Sequence, residues 1–416
     1  MRLLPSVFSA LLLLSACGPK VGKSTPATPS ASQARIEDAV ELVESAPSET
    51  TFDHEDVRNA DVVWREMIDS AKATIDIAQF YASEAEGDAL RSSKLAPVIA
   101  ALEKAISRGI KVRFLADTKF EPTYPATLER LRKAGAEVRT IDFSRITGGI
   151  QHAKYFVVDA RESYVGSQNF DWRALDHIQE IGARITSKPI ALALEDIFAH
   201  DWRQASNADE ERAARAPQRP LTVEARTHEK MTLVASPRTS LPDANRDELP
   251  RLVALLDGAK KEVRLQVLTY SVKNRDGSDF KVLDDAIRRT AARGVPVHIL
   301  VSHWAMKGHA KKSLEDLIGV ENVEIRVLKI PEHSSGAIPF ARVAHAKYLV
   351  VDEANAWIGS SNWEGDYFER SRNVGIVFEG GALAMRLGRI FADGWRSTYT
   401  TTIMQAAAAG EAPRAP

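Results

Sequence analysis

A chain of 416 residues with one cysteine, Cys17, has no disulfide to hold it, so any folded part must be held by a buried core alone. Charge of one sign is also missing. Lys and Arg number 55 against 56 Asp and Glu, a net charge of -1, which excludes a global basic field; binding to nucleic acid would have to rest on a local groove. The apolar run from Leu3 to Leu14 is too short for a stable transmembrane helix. The histidines show no metal-ligand spacing, which predicts neither a metal nor another cofactor. What remains is an ordinary globular composition, 44% hydrophobic and 27% charged, in a chain long enough for two cores.

The lone cysteine is informative by position. Met1 and Arg2 give a short positive start, Leu3 to Leu14 an apolar core, and Leu14-Ser15-Ala16-Cys17 a small-residue site ending in cysteine. This looks like a bacterial lipoprotein signal over residues 1–17, with Cys17 as the lipidated first residue of the mature protein. A plain secretory peptide cut near Ala16 is the alternative. The expectation is an exported, membrane-anchored protein facing the periplasm or cell surface, with the outer membrane favoured because Gly18 offers no inner-membrane retention signal. Residues 18–40, rich in Pro, Ser, Thr and Ala, read as a flexible tether, and 403–416 as a disordered tail.

Between these ends the chain repeats itself. MIDSAK (Met67 to Lys72) returns as LLDGAK (Leu255 to Lys260), SRGIKVRFLAD as ARGVPVHILVS, and IFAHDWR at Ile197 as IFADGWR at Ile390. Such self-similarity is a tandem duplication, here of a domain over 41–205, a polar linker over 206–220 and a second domain over 221–402. Helical and strand signals alternate. VVWREMIDSAK reads as a helix, TIDIAQFY as a strand, Leu95, Val98, Ile99, Leu102 and Ile106 as a helix closed by Gly109, and KVRFLAD and GAEVRTID as strands. The fold class expected is α/β, two mixed or mostly parallel sheets flanked by helices.

The most specific repeat is QHAKYFVVDARESYVGSQN, from Gln151 to Asn169, which returns as AHAKYLVVDEANAWIGSSN from Ala344 to Asn362. Both copies read H-x-K-x4-D, six residues, then G-S-x-N. The fixed members are His152, Lys154, Asp159, Gly166, Ser167 and Asn169 in one, and His345, Lys347, Asp352, Gly359, Ser360 and Asn362 in the other. In an extended segment His and Lys two apart share a face, roughly 6 to 7 Å from each other. The aspartates end each apolar run, where a carboxylate can hydrogen-bond a turn. The glycine lets backbone approach a ligand, and Ser and Asn offer donors. A duplication without chemistry has no need of His and Lys on one face twice.

These two motifs resemble the signature of the phospholipase D superfamily. The flanks NFDWRAL, NWEGDYF, LVES near residue 42 and IDIAQFY are similar to its animal endolysosomal branch, over about residues 42 to 402. The resemblance implies a single active site between the halves and a phosphodiesterase that passes through a phosphohistidine. It implies His152 as nucleophile and His345 as acid and base, roles that sequence symmetry alone leaves open.

The chemistry suits the residues. A neutral imidazole can attack phosphorus while a protonated one opposite gives its proton to the leaving oxygen, and like residues fill both roles if their surroundings separate their pKa values. Lys154, Lys347, Ser167, Asn169, Ser360 and Asn362 would serve the non-bridging oxygens, with Asp159 and Asp352 completing the catalytic sets. In the family a carboxylate lying 28 residues past the histidine orients an imidazole. Here the first half has Glu180 but the second Asn373, with Glu369 near enough to substitute. His303, His309, Lys307, Lys311 and Lys312 read as a solvated loop.

The substrate is the least legible part. The expected anchor at Cys17 favours phospholipid; Phe170, Trp172, Trp363, Tyr367 and Phe368 after the motifs could instead stack the bases of a single-stranded nucleic acid, as an exonuclease of the endolysosomal type would. A non-catalytic lipoprotein that binds phosphate is the third possibility, and no obligate protein partner is implied.

Overall fold

Apolar residues at every position of a short run make a strand covered on both faces, and the motif strands Tyr155–Val158 and Tyr348–Val351 are of this kind. In the first, Tyr155 and Val157 face one core while Phe156 and Val158 face another. Tyr348 and Val350 alternate with Leu349 and Val351 in the same way. The computed structural model describes residues 38–87, 89, 93–205, 219–226 and 229–408. Cys17, the signal, nearly all of the tether and most of the linker lie outside them.

Each half is built on one mixed sheet. The first runs in the order Arg58–Asn59, Ala39–Ser45, Glu180–Thr186, Glu162–Gly166, Tyr155–Val158, Thr74–Ala78, Lys111–Asp117, Glu137–Ile141. The second runs Thr222–Glu224, Lys230–Ser236, Asn373–Glu379, Asn355–Gly359, Tyr348–Val351, Val263–Val267, Val297–Ser302, Val323–Leu328, Thr400–Thr402. Within these two sheets, among the described residues, parallel pairing is confined to Thr74–Ala78, Lys111–Asp117 and Glu137–Ile141, to their counterparts, and to one short edge. The motif strands pair antiparallel because a tight turn joins each to its successor, with Asp159, Ala160, Asp352 and Glu353 at positive φ.

Helices Ala60–Ser70 and Leu95–Ser107 cover the outer face of the first sheet, and Glu248–Gly258 and Val282–Ala292 that of the second. The inner faces meet each other: Val165, Ile181 and Ile185 from one sheet share a core with Leu233, Ile358 and Ile376 from the other, closed by helices Lys188–Gln204 and Ala382–Arg396. The two halves therefore belong to one compact unit, Glu37–Pro416. Further contacts join them. Gln151 bridges Arg372 and Gln179 bridges Ala344, so each motif begins on backbone of the other half. The buried Arg372 guanidinium pairs with Asp201 at 2.7 and 2.8 Å, and it donates to the carbonyls of Ser236 and Ser240.

Two boundaries differ from the sequence reading. The first strand begins at Ala39, inside the expected tether. The expected tail begins with a helix, Ile403–Ala408, whose Ile403 is buried beside the edge strand. Among the described residues no helix is long and apolar enough to cross a membrane.

Candidate active site

His152 and His345 each lie at the seam between the halves. They occupy extended segments just before the motif strands rather than the strands themselves, because their amides pair across the seam: His152 N donates to Arg372 O at 3.0 Å and His345 N to Gln179 O at 2.9 Å. The residues following these acceptors are Asn373 and Glu180, and each reaches the imidazole of the opposite half. Glu180 accepts from His345 Nδ1 with both oxygens at 2.9 Å, and Asn373 Oδ1 lies 2.9 Å from His152 Nδ1.

That difference fixes the protons. The Asn373 amide nitrogen donates to the carbonyls of Tyr367 (2.8 Å) and Ser371 (3.3 Å), so its oxygen faces the imidazole and can only accept. His152 therefore carries hydrogen on Nδ1 and leaves the Nε2 lone pair free. His345 has a carboxylate instead, which stabilises a second proton on its ring. The expected substitute, Glu369, does not reach His152: its carboxylate accepts from Asn274 at 3.2 Å, since the direct place is filled by Asn373.

Lys154 and Lys347 are fully buried, and each ammonium donates to the carbonyl of its own motif histidine at 2.5 Å. Among the described residues neither forms an ion pair. Burial lowers both, Lys154 well below its usual range with Lys347 adding to the fall, and Lys347 to about 7. Burial, then the two lysines, also push both imidazoles well down, and burial raises Glu180 to about 8. Two buried ammonium groups, with Glu180 as the carboxylate whose charge reaches them, leave net positive charge for a phosphate anion. Among the described residues no cluster of three His, Cys, Asp or Glu is placed to hold a metal ion.

The remaining motif members divide. Ser167 Oγ exchanges hydrogen bonds with the backbone of Ile181 at 3.1 Å, and Ser360 Oγ lies 3.0 Å from Asn373 Oδ1 and accepts from Val374 N, so the serines hold the strands that carry Glu180 and Asn373. Asn169 and Asn362 are buried, and their Oδ1 atoms have no partner among the described residues. The motif glycines make room for protein rather than ligand: a Cβ on Gly166 would lie 2.7 Å from the Tyr164 hydroxyl, and one on Gly359 would overlap the Trp357 ring.

Asp159 and Asp352 are not part of the site. Asp159 accepts from the amides of Lys72, Ala73 and Thr74, and Asp352 from those of Lys260, Lys261 and Glu262. Five residues of extended chain separate each from its lysine, on the order of 15 Å. They end the strand; they do not face the imidazoles.

The aromatic expectation also changes. Phe170 stacks on Trp64 in the core, and Trp363 and Phe368 are buried. Of the five, Tyr367 lies 4.9 Å from the His152 ring, and the half-buried Trp172 lies 5.9 Å from the Arg173 guanidinium. A different set, missed by motif reading, does the lining. Phe80 lies 5.2 Å from the His152 ring and 4.2 Å from Phe120, while Tyr81 stacks with Phe120 and with Tyr124 at 5.6 and 4.9 Å. All four rings are half-buried. Arg173 lies over Tyr124 and over the exposed Phe340, extending the wall outward. The signal available was the position of Phe80 and Tyr81 at the carboxyl end of Thr74–Ala78, where α/β sheets bind ligands. His303 is half-buried after Val297–Ser302, while Lys307, His309 and Lys312 are exposed.

Comparison with known proteins agrees in extent. The family model described as "Cardiolipin synthase, PLD-like domain" matches residues 64–202 and again 252–395. Phospholipase D Z of Dictyostelium discoideum is 30% identical over 358 residues, 81% of this chain and 85% of that protein. The 5'-3' exonuclease PLD3 of Xenopus laevis is 29% identical over 398 residues, 87% and 80% of the two chains. Among solved structures, phosphatidylserine synthase of Haemophilus influenzae Rd KW20 shares the fold, with a TM-score of 0.59 at 12% identity over 83% of this chain and 86% of that one.

Proposed function

As the chain belongs to the phospholipase D superfamily and is a phosphodiesterase, we propose that His152 is its nucleophile, His345 its acid and base, and single-stranded nucleic acid its substrate. In the first step His152 Nε2 attacks phosphorus, the bond to the leaving oxygen breaks, and that oxygen takes the proton from His345 Nε2. In the second, His345 takes a proton from water, the water oxygen bonds to phosphorus, and the phosphorus–nitrogen bond breaks. Lys154 and Lys347 hold the non-bridging oxygens, where charge builds. Asn169 and Asn362 would add amide donors.

The observation that carries the role assignment is the pair of unlike neighbours, Asn373 at His152 and Glu180 at His345. The substrate choice rests on the run of half-buried rings Phe80, Phe120, Tyr81 and Tyr124 leading away from His152, a surface suited to planar bases. It reverses the preference for phospholipid that the expected anchor gave. Among the described residues the exposed large apolar side chains are Val62, Val282, Ile318, Phe340, Met385 and Met404, from separate stretches of the chain.

The test offers the purified protein a 5'-hydroxyl single-stranded oligonucleotide and, in parallel, phosphatidylglycerol vesicles. The oligonucleotide should shorten, at a rate that His152→Ala lowers by at least about 10³-fold. Headgroup release without cleavage of the oligonucleotide would install the phospholipid reading instead. In His345→Asn, phosphate from a labelled substrate should be trapped on His152; label on another residue overturns the assignment.

A further inference from the structure

We infer that the first half carries a second phosphate site, in the arginine-lined crevice beyond the edge strand Glu137–Ile141, which takes a further phosphate of the same polyanionic strand. The inference rests on the nucleic-acid reading above and adds where the rest of the strand goes. The crevice has a volume of about 580 Å³ and is lined by Arg132, Arg139 and Arg145, the hydroxyls of Thr118 and Thr140, and Asp142. In a chain whose net charge is -1, three guanidinium groups around one concavity are a local basic feature.

Its place in the fold ties it to the reaction. Thr118 follows Asp117, whose carboxylate accepts from the amide of Gln151 at 2.6 Å, and Gln151 precedes His152. Thr118 N in turn donates to Ile141 O at 3.1 Å. The crevice and His152 thus lie along the same carboxyl-end edge of one sheet. Strand spacing puts them about 10 to 15 Å apart. That spans about two to three phosphates of a single strand.

The guanidinium groups are open to an anion. Arg139 donates to the Trp202 carbonyl at 2.9 Å and lies 4.5 Å over its ring, and it pairs with no carboxylate among the described residues. Arg132 meets Glu121 at 2.6 Å and Arg145 meets Asp142 at 3.1 Å, both solvated pairs of the kind worth only about 0 to 1 kcal/mol, which a phosphate can displace. Asp142 is already committed to Ser144, whose amide and hydroxyl it accepts from.

The duplication supplies the contrast. Arg326 in the second half repeats Arg139, donating to the Trp395 carbonyl at 3.0 Å and lying 4.5 Å over its ring. There the edge strand Val323–Leu328 is covered by Thr400–Thr402. Among the described residues no strand covers Glu137–Ile141.

The test uses the full chain and its Arg145→Ala variant, a solvated side chain whose loss the fold should tolerate, with Arg139→Gln as the second variant. Oligothymidylates from two to eight nucleotides serve as substrates and, on the His152→Ala background, as ligands read by fluorescence anisotropy. In the parent KM should fall as the strand lengthens past about three nucleotides. Each arginine variant should flatten that dependence, raise KM for the octamer about tenfold, and lower the slope of log(kcat/KM) against log[salt] by about 0.7. Parent-like length dependence and salt slope in both variants would overturn the second site while leaving the nuclease reading in place. A parent that neither binds nor cleaves any oligothymidylate would overturn both.

Discussion

The two active-site imidazoles differ in what faces them, a carboxylate at one and an amide oxygen at the other. A carboxylate 2.9 Å from His345 Nδ1 favours imidazolium, whereas the amide oxygen of Asn373 at 2.9 Å from His152 Nδ1 carries no full charge. Burial lowers both rings, and of the two only His345 has a carboxylate on Nδ1 to favour its charged form. Glu180→Gln removes the charge that favours the acid form of His345. The basic limb of the kcat/KM profile should then move to lower pH, and kcat should fall by about 10²-fold. Asn373→Asp does the reverse at the proposed nucleophile: it favours a protonated His152 and moves the acidic limb to higher pH. Both changes narrow the bell. If the roles of the histidines were exchanged, Glu180→Gln would lower the acidic limb and widen it. These residues were only partly legible in the sequence. The motifs announced the histidines and lysines by repetition, but Asn373 read as a vacancy to be filled by Glu369, because counting positions cannot show that an amide can turn its oxygen toward a ring.

At the scale of elements, the motif aspartates show how a repeated residue can be structural. Asp352 gathers three backbone amides at the start of Val263–Val267. Burial pushes its carboxyl up, but the amides of Glu262, Lys261 and Lys260 outweigh this and hold it below the usual range. Asp352→Ala should cost about 2 to 4 kcal/mol in urea unfolding, with kcat per folded molecule kept. A depressed folded pKa means that this contribution is present above the unfolded value of about 4 and is lost as pH falls through the folded one. The variant should therefore show a smaller loss of stability than the parent below pH 4. The long helices and central strands were legible because period and apolar runs mark them. Arg58–Asn59 and Thr400–Thr402 were not: two or three residues without apolar alternation owe their strand form to the neighbour they pair with. The aromatic wall was hidden for a related reason, since Phe80 and Phe120 meet only through the order of strands in the sheet.

At the scale of the whole molecule, the seam between the halves is both core and active site. Arg372 and Asp201 are fully buried there, one from each half, and the Arg372 carbonyl holds the amide of His152. Asp201→Ala leaves a guanidinium uncompensated in the interior and should cost about 3 to 5 kcal/mol, read as a lower midpoint in a denaturant titration. The shared inner core predicts that this variant still unfolds in one transition; two separated transitions would show that the halves are independent. The pairing across the seam, Glu180 with His345 and Asn373 with His152, has one more consequence. Two identical copies related by a two-fold axis would give both rings the same neighbour, and a phosphodiester could then be cut equally well in either orientation. Fusion into one chain lets positions 180 and 373 diverge, and on the proposed roles the oxygen that departs lies on the His345 side. A broken symmetry of one side chain thus gives the enzyme a polarity, a front and a back with respect to the phosphodiester it cuts.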